Sequence, residues 1–372
     1  MHVGYAPLFQ NPENRLSDLE VYQQELRLAE LAEPLGFDSV WSVEHHFTDY
    51  TMCPDVMQFL AYMAGKTSRV KLGSMVVVLP WHDPIRVAEE VAMLDNLSNG
   101  RVIFGIGRGL GRVEYDGFRA DMNESRQRFI EAAEMILTGL ERGYVEYDGE
   151  YVKQPRRDIR PAPFRSFKGR TYAAAVSPDS MPVMARLGVG LLVIPQKPWE
   201  DVAKDFEVYH HVWREVNGDE PAPRPLMGGF YFVDANPDRA RELAMRYIGG
   251  YYQTVIKHYE MTAGHFAAIK GYEFYNNATK YINRHGSAGA GESFANLMPW
   301  GTPDQVLRKL EQIRSVIDMN GMMCHFSFAG MPNDEAERNL RLFAAEVLPE
   351  LQRWQTAPLV DGRELVSAGA HQ

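Results

Sequence analysis

The chain has 372 residues, of which 45% are hydrophobic and 24% are charged, an ordinary composition for a globular protein with a large core. Its formal net charge of −10 argues against a nucleic-acid partner, which needs a basic surface, and against docking on anionic membranes. Two cysteines are too few for a disulfide framework or a structural zinc site, and without a leader-like start or a long apolar run we expect a cytoplasmic protein.

Eight short runs rich in Val, Ile and aromatic residues predict β-strands. Their nearly continuous hydrophobicity is typical of parallel strands that are covered by helices. The predicted strands are Val3–Leu8, Ser39–Val43, Val70–Leu79, Val102–Gly107, Tyr172–Val176, Gly190–Ile194, Gly228–Val233 and Met322–Phe328.

Amphipathic helical patterns alternate with these strands. The predicted helices are Ser17–Leu35, Pro54–Lys66, Pro84–Leu97, Glu124–Arg142, Pro178–Leu187, Trp199–Val216, Pro237–Gly249, Pro303–Met319 and Asp334–Trp354. Eight strands, each followed by a helix, predict an α/β fold with a single (β/α)8 TIM barrel. A doubly wound open sheet is the alternative, but it usually has fewer strands.

Two segments depart from this alternation. Residues 251–299, between the seventh and eighth strands, form a long aromatic-rich insertion without clear periodicity, which is typical of an active-site lid or a disordered insert. Residues 356–372 are small and polar and predict a flexible tail. We therefore expect one barrel domain over residues 1–355, with the insertion inside it.

Candidate reactive groups follow the second strand, because TIM barrels place their reacting groups at the C-terminal ends of strands. The stretch Glu44-His45-His46-Phe47 offers two histidines, which titrate near neutrality and suit acid–base chemistry. Histidines hydrogen-bonded to their neighbours are the plainer interpretation. Because neither HExxH spacing nor a cysteine cluster is present, we expect no metal.

Two later strand ends offer anion-binding groups. Arg108 lies among glycines after the fourth strand, where its guanidinium can grip a phosphate, although a tight turn with a solvated arginine fits equally. After the fifth strand, Ser177 is a natural N-cap at a helix start, which is either a cap alone or an anion site. Asp179 next to it opposes an anion.

Several segments, taken in order, resemble the bacterial luciferase-like family of flavin-dependent monooxygenases. No single motif among them is diagnostic, but their order along nearly the whole chain is specific. The matching segments are Gly36–Trp41, Glu44–Thr48, Val78–Pro80, Pro84–Glu90, Leu94-Asp95, Asn99–Arg101, Phe104–Gly109 and Gly301–Pro303.

The resemblance implies reduced FMN as a co-substrate, supplied by a separate NAD(P)H:flavin reductase, and dioxygen, which forms a flavin C4a-hydroperoxide that oxygenates an apolar substrate. It also implies a dimer, which we expect to be a homodimer. An aldehyde, a ketone or an alkene-like molecule would suit an apolar barrel mouth.

The family's functional positions can be transferred to this chain residue by residue. The catalytic histidine falls on His45, and the phosphate-binding arginine and hydroxyls fall on Arg108, Ser177 and Ser180. The non-proline cis peptide beneath the flavin falls on Met75–Val76, and Leu110 and Ala174 would line the flavin ring. Phe9, His46, Phe47 and Trp81 are candidates for the substrate pocket.

Two departures from luciferase weaken the expectation of light emission. Gly107 replaces a reactive cysteine, and Val176 replaces an acidic residue. Two rival functions remain open: a deazaflavin-dependent hydride-transfer enzyme on the same barrel, and a non-catalytic flavin-binding partner subunit. The insertion at residues 251–299 is expected to be a lid, with a structural insert or a dimer contact as the alternative.

Overall fold

The computed structural model describes residues 1–363 and 365. Its strands, in chain order, are β1 (His2–Tyr5), β2 (Ser39–Ser42), β3 (Lys71–Ser74), β4 (Val77–Val78), β5 (Val102–Gly107), β6 (Tyr144–Asp148), β7 (Lys153–Asp158), β8 (Thr171–Ala174), β9 (Gly190–Val193), β10 (Leu226–Phe230), β11 (Phe232–Val233), β12 (Trp300–Gly301) and β13 (Gly321–His325).

The helices surround these strands. In chain order they are α1 (Asp18–Glu30), α2 (Val56–Lys66), α3 (Pro84–Leu97), α4 (Arg112–Phe118), α5 (Ser125–Arg142), α6 (Met181–Leu187), α7 (Trp199–Asn217), α8 (Pro237–His258), α9 (Tyr275–Leu297), α10 (Pro303–Val316), α11 (Asn333–Glu346) and α12 (Leu348–Arg353). No helix in the described part of the chain is long and apolar enough to cross a bilayer.

Eight parallel strands close into a barrel, which confirms the predicted TIM-barrel fold. Neighbouring strands follow the order β3, β2, β1, β13, β10, β9, β8, β5, and β5 pairs back to β3 through Leu72 with Val102 and Gly73 with Ile103. The short β4 continues the pairing with β5 beyond the end of β3. Because helices cover the outside of the barrel, almost every barrel residue is buried, as the continuous apolar runs predicted.

A glycine in β5 allows the barrel to close tightly beside β3. A Cβ on Gly105 would lie 1.8 Å from the carbonyl oxygen of Ser74, a distance that no side chain tolerates. The Ser74 hydroxyl bridges the same two strands, because it donates to the Gly105 carbonyl and accepts from the Gly105 N–H, both at 2.8 Å. Glycine is therefore a steric requirement at position 105.

The antiparallel hairpin of β6 and β7 and the short helix α4 were not predicted from sequence. The hairpin is mostly exposed and polar, so it lacks the apolar alternation that identifies a strand. Tertiary contacts hold it instead, because the Glu131 carboxylate of α5 accepts the backbone N–H groups of residues 150, 151 and 152 at 3.1, 2.8 and 2.9 Å.

The insertion lies between β10 and β13, as predicted, but it is largely helical. Helix α8 continues to His258, a short 3-10 turn spans His265–Ala268, and α9 supplies most of the remainder. These elements argue against the disordered insert, and the lid stays a prediction. A kink at Gly286, where φ is 74°, interrupts the helical period of α9 and obscures it in the sequence.

Residues 356–363 return to the N-terminal end of the barrel. The Ser166 N–H donates to the Arg363 carbonyl at 2.9 Å, and Lys71 forms an ion pair with Asp361. The rest of the predicted flexible tail lies outside the described residues, apart from Leu365.

A buried carboxyl on α1 should make folding stability depend on pH. Glu25 is buried. Its Oε1 accepts a hydrogen bond from the Ser327 hydroxyl at 2.5 Å, and its Oε2 has no hydrogen-bond partner among the described residues. Burial raises the pKa of Glu25 from 4.5 to about 7. A carboxyl whose folded-state pKa is raised favours folding while it is protonated, and this contribution disappears as pH rises from about 4.5 through 7.

We expect Glu25→Gln to be more stable than the wild type at pH 8, by about 3 kcal/mol, and nearly equal to it at pH 4. The amide keeps the shape of the side chain but cannot ionise. Urea unfolding of both proteins at the two pH values measures the difference. A difference that stays constant with pH would contradict the assigned role of Glu25.

Candidate active site

A cavity of about 210 Å³ lies at the C-terminal end of the barrel, where TIM-barrel active sites lie. Most of the predicted site residues line it, although they come from different strand ends. They are His45, Met75, Val76, Trp81, Arg108, Leu110, Ala174 and Ser180. The peptide bond between Met75 and Val76 is cis, as the resemblance implied.

Four predicted residues do not line this cavity. Ser177 is buried directly behind the wall, with its hydroxyl 2.8 Å from that of Ser180. Phe9 lies in the core, with its ring 4.9 Å from Tyr22 and 5.4 Å from Phe59 between centroids. Phe9 is therefore placed away from the cavity.

His46 and Phe47 line a separate outer groove of about 1220 Å³. The His46 ring packs 4.6 Å from the Phe118 ring, and the Phe47 side chain is 62% exposed. His45 borders both the groove and the cavity, so it lies where the two spaces meet.

The His45 ring is held at both of its nitrogens. Nδ1 lies 2.8 Å from Oε1 of Glu114, and Nε2 lies 3.3 Å from the Tyr259 hydroxyl. A carboxylate can only accept at neutral pH, so Nδ1 carries a proton and Nε2 faces the tyrosine hydroxyl. Glu114 is completely buried in α4 and also accepts the His46 N–H at 2.9 Å.

Burial alone would raise the pKa of Glu114, but the adjacent His45 and His258 lower it to about 2. Nε2 of His258 lies 3.5 Å from Oε1 of Glu114, and the ring stacks on Tyr50 at 4.4 Å. The pKa of His258 is itself lowered, chiefly by burial. An ionised carboxylate therefore stands between two histidine rings.

His45, Glu114 and His258 place their ligand atoms within 4.8 Å of one another, a donor set that a divalent cation can use. The 2.8 Å separation between Nδ1 and Oε1 is that of a direct hydrogen bond. Two ligands of one tetrahedral zinc ion lie about 3.3 Å apart, given zinc–ligand bonds of about 2.0 Å. The observed spacing is thus that of a hydrogen-bonded network.

Glu44 orients the other histidines of the rim. Its Oε1 lies 3.1 Å from Nε2 of His46 and 2.7 Å from Nε2 of His82, and its Oε2 accepts the Val78 N–H at 2.8 Å. Burial would lower the pKa of His82, but the Glu44 carboxylate raises it above its ordinary value. Glu44 therefore serves His46 and His82, and Glu114 serves His45.

A further part of the cavity wall presents two arginines. Nη1 of Arg108 is buried without a hydrogen-bond partner among the described residues, and its guanidinium lies 3.9 Å from the centre of the Tyr272 ring. Arg126 donates to the Asp179 carbonyl at 2.9 Å, and burial, followed by the charge of Arg108, lowers its pKa. Two guanidinium groups with a free donor form an anion site.

Five functional residues escaped the sequence analysis: Glu114, His258, Tyr259, Arg126 and Tyr272. Arg126 had a readable signal, because a basic residue in the first turn of a helix opposes the helix dipole unless an anion lies nearby. The others reach the site through tertiary packing of α4, α8 and the segment before α9. Neither spacing nor periodicity reveals such contacts.

Because Nη1 of Arg108 has no hydrogen-bond partner among the described residues, anion binding can be measured with inorganic phosphate alone. We expect inorganic phosphate to raise the unfolding temperature of the wild type, and Arg108→Met to weaken phosphate binding by about 10- to 100-fold, the loss of one charge-assisted hydrogen bond. Thermal unfolding across a phosphate titration measures both.

Arg128→Met is the matched control, because Arg128 pairs with Glu124 at 2.8 Å and does not line the cavity. Its phosphate response should equal that of the wild type. An equal loss in both variants would show that phosphate stabilises the protein without using this cavity.

Comparison with known proteins agrees with this geometry. The family pattern described as luciferase-like monooxygenase matches residues 1–318. The alkanal monooxygenase alpha chain of Photorhabdus luminescens is 26% identical over 359 residues, covering 93% of this chain and 96% of the relative. The oxygenase component of a flavin-dependent trigonelline monooxygenase from Acinetobacter baylyi is 32% identical over 222 residues, covering 59% and 61%.

A solved structure is similar over nearly the same length. The monooxygenase RslO1 of Streptomyces bottropensis superposes with a TM-score of 0.74 at 26% identity, covering 94% of this chain and 100% of that one. Because the family pattern extends over most of the sequence, this chain belongs to the luciferase-like family of flavin-dependent monooxygenases.

Proposed function

We propose that this enzyme uses reduced FMN and dioxygen to oxygenate an apolar small organic molecule such as an aldehyde, a ketone or an alkene. The observation that carries this proposal is that His45 and the free donor of Arg108 face one cavity at one end of the barrel. One cavity can hold a phosphate at Arg108 while the reactive part of the same molecule approaches His45.

The residues present fit the flavin mononucleotide. Arg108, Arg126 and the Ser180 hydroxyl would hold its phosphate, and the apolar walls contributed by Val76, Leu110 and other residues suit an aromatic ring system. A Cβ on Gly107 would lie 2.3 Å from the Val76 side chain, so the glycine lets Val76 occupy this wall. Bound in this way, reduced FMN would supply the two electrons that reduce dioxygen, so that one oxygen atom enters the substrate and the other leaves as water.

The protein's own contribution centres on His45. With Nδ1 donating to Glu114, its Nε2 can take up or hold a proton beside the Tyr259 hydroxyl. Glu114 sets the tautomer and the ring orientation, and it stabilises the imidazolium when Nε2 is protonated. His45 is therefore the proposed catalytic residue and Glu114 its positioning residue.

We propose that the insertion is a lid. Tyr251, Tyr252, Tyr259 and other residues of the insertion form one wall of the cavity, and Glu260 is tied to Arg112 by two hydrogen bonds. At about 210 Å³ the cavity is smaller than the roughly 300–1,000 Å³ of most ligand pockets, so a large ligand requires this wall to move. Closure would then exclude water from the reaction.

A separate NAD(P)H:flavin reductase is the proposed source of reduced flavin, in keeping with the name "oxygenase component" that the Acinetobacter relative carries. We also propose a cytoplasmic homodimer. Met93 and Leu97, four residues apart on one face of α3, are 53% and 56% exposed, an apolar surface that a second copy would cover.

Anaerobic mixing with reduced FMN, followed by air, tests the proposed flavin chemistry. We expect tight binding of reduced FMN and, once air is added, a flavin–oxygen species that persists longer than in free solution. Absorbance spectroscopy monitors this species. The matched experiment uses a reduced deazaflavin. Preferential binding of the deazaflavin, without reactivity towards dioxygen, would instead support the hydride-transfer enzyme.

Variants of the His45 network test its catalytic role. His45→Ala should lower product formation by about 10²–10⁴-fold, and Glu114→Gln by at least about tenfold, while the affinity for FMN stays near that of the wild type. Product analysis with a panel of aldehydes, ketones and alkenes, together with FMN titration, separates the two effects.

Glu30→Gln is the control for Glu114→Gln, because Glu30 accepts a hydrogen bond from Tyr62 at 2.6 Å on the outside of the barrel and does not line the cavity. Full activity of His45→Ala would favour the non-catalytic flavin-binding subunit over the proposed enzyme.

A further inference from the structure

A second histidine ring, His325, lies on the inner wall of the same cavity. It is the last residue of β13, is completely buried, and stacks on Phe230 with the ring centres 4.8 Å apart. None of the chemistry proposed above uses it.

The hydrogen bond at Nδ1 fixes the tautomer of His325. Nδ1 lies 2.8 Å from the carbonyl oxygen of Ala6, and because a carbonyl can only accept, Nδ1 carries the ring proton. Burial lowers the pKa of His325 to about 4, so the ring is neutral near pH 7. Nε2 is therefore left with a lone pair and acts only as an acceptor.

This acceptor has no partner among the described residues, although it is buried. A buried acceptor without a donor destabilises the protein that contains it, and such groups are rare in folded proteins. The missing donor is therefore expected from a ligand of the cavity.

The strand order separates His325 from the phosphate anchor. Arg108 follows β5, and around the closed barrel β13 lies four strands from β5 in either direction, which is diametrically opposite. The wall on the side of His325 is aromatic, with Tyr252 and Phe294 stacked at 4.8 Å. The phosphate anchor and this aromatic wall thus lie on opposite sides of the barrel mouth.

We propose that Nε2 of His325 accepts a hydrogen bond from a hydroxyl group of the substrate, so that the enzyme acts on hydroxyl-bearing aromatic or alicyclic molecules. This proposal takes the cavity of the proposed function as the substrate site and narrows its substrate class. The aromatic wall packs against the apolar body of the molecule, and His325 selects the hydroxyl.

The test compares 4-ethylphenol with 4-ethyltoluene, which differ only by a hydroxyl in place of a methyl group. Dissociation constants for both probes are measured by calorimetry with the full-length wild type and with His325→Phe, without flavin. The ratio of the two dissociation constants is compared between the two proteins. The difference in hydration between the probes is the same in both proteins, so it cancels from this comparison. We expect the preference for the phenol to fall by about fivefold to tenfold in His325→Phe.

A second measurement needs no variant. The ¹⁵N resonance of the unprotonated ring nitrogen of His325 should shift when 4-ethylphenol is added and stay in place with 4-ethyltoluene. This measurement decides the proposal even where His325→Phe does not fold. An unchanged preference in the variant, an unmoved resonance, or a wild type that binds neither probe overturns it.

Titration with oxidised FMN separates this inference from the proposed function. We expect the same FMN affinity in the wild type and in His325→Phe, since the phosphate anchor lies across the barrel. A loss of FMN affinity with an unchanged probe ratio would assign Nε2 to the flavin and overturn the proposal. A failure to bind reduced FMN would refute the proposed function while leaving the probe comparison intact.

Discussion

The carboxylate of Glu114 is the constraint on which the reactive end of the barrel depends. An ionised group with no exposed surface is stable only when charges and donors surround it, and here they come from His45, the His46 backbone and His258. These partners belong to the loop after β2 and to the end of α8, and the carboxylate itself belongs to α4. One buried charge thus fixes three segments that are far apart in the sequence and brings the base of the insertion against His45.

Adjacent histidines acquire different roles because two buried carboxylates divide them. Glu44 binds His46 and His82 and accepts a backbone N–H from Val78, which secures the segment that follows the cis peptide. Glu114 binds the ring of His45 but not the ring of His46. Nε2 of His45 lies beside the Tyr259 hydroxyl. The sequence motif is therefore one short stretch, but physically it is two networks, one around His45 and one around His46 and His82.

Sequence reasoning placed Arg108 and His45 correctly, because their positions follow from the ends of barrel strands. Arg108 and His45 each follow a strand, and parallel strands in a closed barrel must bring those ends together. It failed where a side chain arrives from a helix that no apolar period marks, as with Glu114 on α4. Phe9 was predicted at the substrate pocket because it follows a strand, but its ring packs in the core. A position after a strand therefore does not by itself place an aromatic residue at the cavity. The helices of the insertion stayed hidden because Gly286 breaks their period.

The diametric placement of β5 and β13 has a consequence for how such an enzyme can diversify. Strands that are not neighbours share few contacts, so side-chain changes on one half of the rim leave the other half largely undisturbed. A mutant library confined to β10, β13 and the aromatic residues of α8 and α9 could search for new specificities while the arginine half is inherited intact. The closed barrel thereby separates the arginine half of the rim from the aromatic half.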